Sequence, residues 1–258
     1  MPDHDDRAAA LHNAVNVEEH GWHSPSLDQW MGLRVYGHAG RPIVAFPPQD
    51  GRHTDFESFG MIGSVAHLIE AGRITVVSVD SVDAQSWTNQ SSLIADRARR
   101  HEAFDRYLVD ELVPWIGGRT GRDTMWTTGC SMGAYHAANS FFRHPDVFDG
   151  VVAVSGLYQL RDFVGETSDL GVHYNSPLHY LPGLDDNWYL DRFRSARICF
   201  VCGQGAWEDA MLADTRAMGD ILAAKEIPAL IDIWGQDVNH DWPWWQKMLP
   251  YELERMDV

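Results

Sequence analysis

The sequence predicts an α/β fold with a mostly parallel central sheet covered by helices on both faces. Three observations carry this. Short continuous apolar runs such as Ile74–Val79 and Ile198–Cys202 have the length of buried strands. They alternate with segments of helical spacing, and strands buried on both faces read as unbroken apolar runs rather than alternating ones. No internal repeat or low-complexity linker interrupts the 258 residues, 45% of them hydrophobic, so residues 1–258 read as a single domain with a full core.

The elements follow in order. Residues 1–13 are expected to be flexible. Strands are expected over Ala14–Glu19 and Gln29–Tyr36, with Ser24-Pro25-Ser26 as the turn. Ile43–Phe46 is a short buried strand ended by Pro47 and Pro48. Gly60–Glu70 has helical spacing through Ile62, Val65, Ala66 and Ile69, and Ile74–Val79 is a strand. A long helix runs from Ala95 to about Val113 on Phe104, Leu108 and Leu112, until Pro114 ends or bends it. Thr124–Thr128 is a strand, and Ala134, Ala137, Ala138, Phe141 and Phe142 share one face of the next helix. Val151–Val154 and Ile198–Cys202 are strands on either side of residues 156–195, a Gly-, Pro-, Asn- and Asp-rich excursion at the sheet's rim, where caps occur. A helix over Ala210–Lys225, a strand over Ala229–Trp234 and a helix over Trp242–Leu253 complete the chain.

The formal net charge of -17 argues against nucleic acid or an anionic membrane as partner, since the field repels polyanions. Three cysteines do not make a disulfide framework and fit a reducing compartment. Cys199 and Cys202 would point to opposite faces of a strand, which argues against a redox or metal pair. Met1 to Ala10 is acidic and lacks the apolar core of a secretion signal, and no 18-residue apolar stretch is present, so a cytoplasmic location is expected.

Gly129-Cys130-Ser131-Met132-Gly133 is a G-x-S-x-G pentapeptide between a strand and a helix. That context is how the α/β-hydrolase fold exposes a nucleophilic serine on a tight turn. A serine needs a base to take its proton and a carboxylate to orient that base, and in this fold they follow it in the order acid, then histidine. His240 follows the last expected strand and leaves the sheet at the edge where the base is needed. The loop after Ile198–Cys202 offers Glu208 first and Asp209 second, Asp209 having an alternative place as helix cap; Asp237 is a third candidate. For the oxyanion, one donor is the N–H of Met132. Pro47 and Pro48 have no N–H, so Gln49 is the first residue of its loop able to donate, with Asp50 behind it.

These residues resemble the esterase D and antigen 85-like branch of the α/β-hydrolases, which also includes enterobactin esterases and some feruloyl esterases. The resemblance covers about residues 28 to 253. It rests on Glu111-Leu112-Val113-Pro114-Trp115-Ile116, on the G-x-S-M-G itself, and on His144-Pro145-Asp146-Val147-Phe148 followed by Val151–Gly156. It rests also on Gln204-Gly205-Ala206-Trp207-Glu208 and on His240-Asp241-Trp242-Pro243-Trp244-Trp245. It implies the acid at Glu208, a Glu as in the antigen 85 group rather than an Asp. The segment Phe46-Pro47-Pro48-Gln49 departs from the glycine-rich oxyanion loop of esterase D and weakens S-formylglutathione as substrate.

Among rim aromatics (Trp87, Tyr135, Tyr158, Phe163, Tyr174, Trp207, Trp242 and Trp244), Trp87, Trp207 and the nearby Asn89 are the expected substrate-binding residues. The expected function is hydrolysis of small to medium carboxylic esters through an acyl-enzyme. Acyl transfer to an alcohol, as in the mycolyltransferases, is the alternative, and a non-catalytic binding protein on the same fold is a third reading. The expected partner is a small-molecule ester, with no metal or cofactor, and a homo-oligomer is left open.

Overall fold

In a computed structural model, which describes residues 15–258, eight strands form one sheet. They are β1 (Val17–Ser24), β2 (Gln29–Tyr36), β3 (Arg41–Phe46), β4 (Ile74–Val79), β5 (Met125–Cys130), β6 (Phe148–Val154), β7 (Arg197–Cys202) and β8 (Leu230–Ile233). The spatial order is β1-β2-β4-β3-β5-β6-β7-β8. The β1–β2 and β2–β4 pairs are antiparallel, and every other pair is parallel. The expected flexible start at residues 1–13, and Ala14 of the first expected strand, lie outside the described residues.

Successive residues of each parallel strand serve opposite faces, which is why these strands are mostly apolar. Val44, Phe46, Val77, Val79, Val151 and Ala153 pack under helices α1 (Ile94–Arg106) and α2 (Met132–Arg143). Ile43, Ala45, Ile74, Val76, Val152 and Val154 pack on the other face, with the carboxyl-terminal helix. Helix α3 (Asn187–Ser195) lies in the excursion, α4 (Asp209–Ala224) follows β7, and α5 (Trp242–Arg255) closes the chain.

Four local expectations are corrected. The first strand runs on to Ser24, so the turn occupies residues 25–28 instead of starting at Ser24. Gly60–Glu70 is not one helix but two short ones, Met61–Ser64 and Ala66–Glu70. Ser64 Oγ bonds back to the Met61 carbonyl at 2.8 Å, offering the backbone a competitor to helix propagation. The long helix does not stop at Pro114. It opens into a π-helical stretch, Tyr107–Leu112, and resumes as Val113–Thr120. Widening the turn makes room for the proline ring, which lacks an N–H and crowds the carbonyl four residues back. The same stretch aims Glu111 at the β1–β2 turn, where it accepts from Trp22 Nε1 and Ser24 Oγ, each at 2.8 Å, and from the Ser26 N–H. The 156–195 excursion is not all rim: Leu160, Leu181 and Phe193 are buried in the core.

Of the cysteines, Cys199 and Cys202 do face opposite sides of β7. Cys199 lies against buried Glu252 of α5, with Sγ 3.6 Å from Oε2. Burial, and then the carboxylate of Asp232, push Glu252 up to about 7. Glu252 is thus protonated in the folded chain at pH values where the unfolded chain's carboxyl is already charged. Its contribution is fully favourable below the ordinary Glu range near 4.5 and is lost as the pH rises to about 7. Glu252→Gln should flatten that fall and raise the melting temperature at pH 8, with little change at pH 4.5. The gain should be on the order of 3 kcal/mol. Thermal melts across this pH range check it; parallel curves for the two proteins would refute it.

Candidate active site

The carboxyl ends of β3, β5, β6 and β7 point to one edge of the sheet, and the loops leaving them meet there. Ser131 leaves β5 with φ 58° and ψ -123°, a strained left-handed conformation for a residue with a side chain. Its N–H is tied to the Val154 carbonyl at 3.0 Å, and its carbonyl accepts from Ala134 at the start of α2. Both flanking glycines are required by contact. A Cβ on Gly133 would sit 2.2 Å from the Phe46 carbonyl oxygen, and one on Gly129 would sit 2.3 Å from the Gly133 backbone. The turn is therefore wedged between its own helix and the end of β3.

Ser131 Oγ lies 2.9 Å from His240 Nε2. His240 Nδ1 faces Glu208 Oε2 at 3.5 Å, longer than a good hydrogen bond and within ion-pair reach. Apo sites often hold such groups loosely and tighten them around substrate. Glu208 is fully buried. Its Oε1 accepts from Ser155 Oγ at 2.6 Å, and its Oε2 accepts from Cys202 Sγ at 3.2 Å. Burial, reinforced by the Glu208 charge, pushes the Cys202 thiol far up, so it stays protonated as a donor. Ser155, like Ser131, has positive φ, at 52°. This conformation closes β6 with the hydroxyl turned to Glu208.

The loops carrying Glu208 and His240 are stitched together. The Gly205 N–H donates to the Val238 carbonyl (2.8 Å), the His240 N–H to the Ala206 carbonyl (3.0 Å) and the Ala206 N–H to Asn239 Oδ1 (2.8 Å). A Cβ on Gly203 would come within 2.2 Å of the Val238 carbonyl oxygen. The His240 ring packs edge-to-face on Trp245, with centroids 4.9 Å apart.

The other expected residues divide. Among the described residues, none takes a hydrogen bond from the Met132 or Gln49 N–H, whereas the Asp50 N–H is engaged by Asp83 Oδ2 at 3.2 Å. Asp209 is exposed in the first turn of α4, and Asp237 is exposed as well. Trp87 is not at the rim: it is fully buried, 5.0 Å from His101 between ring centroids, because its loop folds inward under α1. Tyr135 and Tyr158 are likewise buried. Asn89 Oδ1 is turned to its own loop, accepting from Ser91. Trp207 is 84% exposed beside Glu208. A cavity of about 690 Å³ lies elsewhere, between Arg143, Tyr180 and Trp188, and neither Ser131 nor His240 lines it. Sequence reasoning missed Ser155 and Cys202. The signal for both was their place at the carboxyl ends of β6 and β7, the next two strands of the sheet after the Ser131 strand.

The sheet and the serine turn define an α/β-hydrolase fold. The family described as "Putative esterase" matches residues 24–256, and the chain belongs to this esterase family and is a hydrolase. No curated protein matches it in sequence. Among solved structures it is similar to a ferulic acid esterase (TM-score 0.74, 17% identity, covering 94% of this chain and 98% of that one). It is also similar to an S-formylglutathione hydrolase from Staphylococcus aureus (0.68, 15%, 95% and 97%). MPT51 of Mycobacterium tuberculosis is a third such structure (0.66, 16%, 94% and 98%). At these identities the likeness is one of fold.

Two outcomes are expected. Gly133→Ala should drive the elbow off β3 and lower stability by more than about 4 kcal/mol, or leave no folded protein, as read by urea unfolding. Ser155→Ala strips one donor from a buried carboxylate and should lower stability by about 1.5–3 kcal/mol, with kcat falling roughly tenfold at unchanged KM. A Ser155→Ala protein matching the wild type in both would show that this bond holds nothing.

Proposed function

We propose that the chain is a serine carboxylesterase in which Ser131, His240 and Glu208 form the catalytic triad. The observation that carries this is the 2.9 Å approach of Ser131 Oγ to His240 Nε2, with a buried carboxylate behind the imidazole. Ser131 Oγ–H donates to Nε2. As Oγ attacks the ester carbonyl carbon, its proton passes to His240, and the imidazolium is stabilised by Glu208. The Met132 and Gln49 N–H groups hold the oxygen that becomes negative. Collapse of the tetrahedral intermediate breaks the bond to the alcohol, which leaves with the proton from His240. Water, deprotonated by the same imidazole, then releases the acid and restores Ser131.

Two features support small to medium esters at an open site. Ser131 is partly exposed at the rim, and Trp207 offers an exposed indole beside the acid for an acyl or aryl group to pack on. The same openness admits an alcohol in place of water, which supports acyl transfer as the second reading.

With a series of chromogenic esters of increasing acyl length, Ser131→Ala should lower kcat by at least about 1,000-fold. A fluorophosphonate should add its mass to the wild type and not to this variant. Undiminished hydrolysis by Ser131→Ala would overturn the proposal. Alcohol added during turnover separates the two readings: a new ester among the products marks transfer, the free acid alone marks hydrolysis.

A further inference from the structure

One buried ion-pairing couple lies outside the Ser131–His240–Glu208 group and behind the candidate oxyanion loop. His136 stands on α2, one turn beyond Ser131, with 1% of its surface exposed. Asp83 lies on the single helical turn Asp83–Gln85 after β4 and is wholly buried. His136 Nε2 is 2.7 Å from Asp83 Oδ1, which makes Nε2 the donor to the carboxylate. The second oxygen, Oδ2, accepts the Asp50 N–H at 3.2 Å. The carboxylate thus joins the helix that carries the serine to the loop that carries Gln49.

The surroundings leave the pair little else to do. The His136 ring is enclosed by Phe46, Phe104, Tyr135 and His101, with centroids 5.0–5.8 Å away. No arginine or lysine bonds to Asp83 among the described residues, and burying a carboxylate and an imidazole here without a task would cost stability. The loop at the other end needs holding. Asp50 has φ 56°, a left-handed conformation for a residue with a side chain, and it is exposed. Its own carboxylate takes a 2.6 Å bond from Thr88 Oγ1, and the Thr88 N–H returns to the Asp83 carbonyl at 3.1 Å. With the Asp50 N–H turned inward to Asp83, the preceding N–H, that of Gln49, is left for a ligand.

We infer that His136 and Asp83 are positioning residues for the oxyanion hole: they hold the Asp50 peptide inward and so set where the Gln49 N–H points relative to that of Met132. This rests on the serine esterase reading, and it assigns the couple an effect on the transition state rather than on substrate binding. A preorganised donor matters most where charge develops, and losing one such donor lowers kcat by about 100- to 1,000-fold. Loosening one by its support should do less.

The test uses the full chain and begins by confirming that the wild type turns over an ester and that Ser131→Ala does not; activity in Ser131→Ala overturns the esterase reading and, with it, this inference. His136→Leu, which removes the donor to Asp83, should then lower kcat about 10- to 100-fold with KM within about threefold. The inhibition constant of a trifluoromethyl ketone, whose adduct carries the oxyanion, should rise by the same factor. His136→Gln, whose amide N–H can replace Nε2, should recover most of both. Should His136→Leu fail to fold, His136→Asn takes its place, since its shorter amide falls short of Asp83. Unchanged kcat in the variant lacking the donor would overturn the inference. So would equal losses in it and in His136→Gln, or a loss carried by KM with the ketone's affinity unmoved.

Discussion

The Phe46 carbonyl oxygen lies where a Cβ on residue 133 would have to be. That backbone-to-backbone approach, at the end of β3, ties the turn of Ser131 to the loop of Gln49. It lets the first turn of α2 sit directly against the end of β3. The strain at Ser131 persists because both of its neighbours are immobilised: Val154 accepts its N–H, and Gly129 and Gly133 touch each other. Without that wedge the serine would be an ordinary residue in a loop.

The chain carries a large negative charge and still buries carboxylates around this turn. What they bond to differs, and the difference is chemical. Glu208 is held by a hydroxyl and a thiol and faces the His240 imidazole. Asp83 is held by an imidazole and a peptide N–H and serves as a strut between two elements. Glu252 lies beside Asp232 and is pushed up to about 7 instead. An arginine beside Glu208 would pair with it outright; the neutral donors present hold the carboxylate without a cation.

The strands were the most legible part of the fold. Ile74–Val79 was readable to the residue because a strand buried on both faces reads as a short apolar run, and Gln29–Tyr36 was readable to the residue although only its inner positions are buried. Helices were less so. Gly60–Glu70 has helical spacing, yet a left-handed Gly60 stays outside the helix and the Ser64 back-bond precedes a break at Val65, and Pro114 sits inside a continuing helix only because a π-helical stretch makes room for it. Such features depend on one hydrogen bond or one extra residue in a turn, to which apolar periodicity is blind.

The sequence by itself determined the order of the strands and pointed to Ser131 and His240, with Glu208 ahead of Asp209 as the carboxylate between them in the chain. Strand and helix periods are local, and the loops that follow parallel strands must share an edge. Only the tertiary structure decided which atoms support them. Ser155 and Cys202 reach Glu208 from neighbouring strands, and Trp87, expected at the rim, is packed inward beneath α1. Asp83 meets His136 across 53 positions of chain. These pairings are set by which strands are neighbours and how closely their connecting loops pack, and neither is encoded in the spacing of residues along a single element.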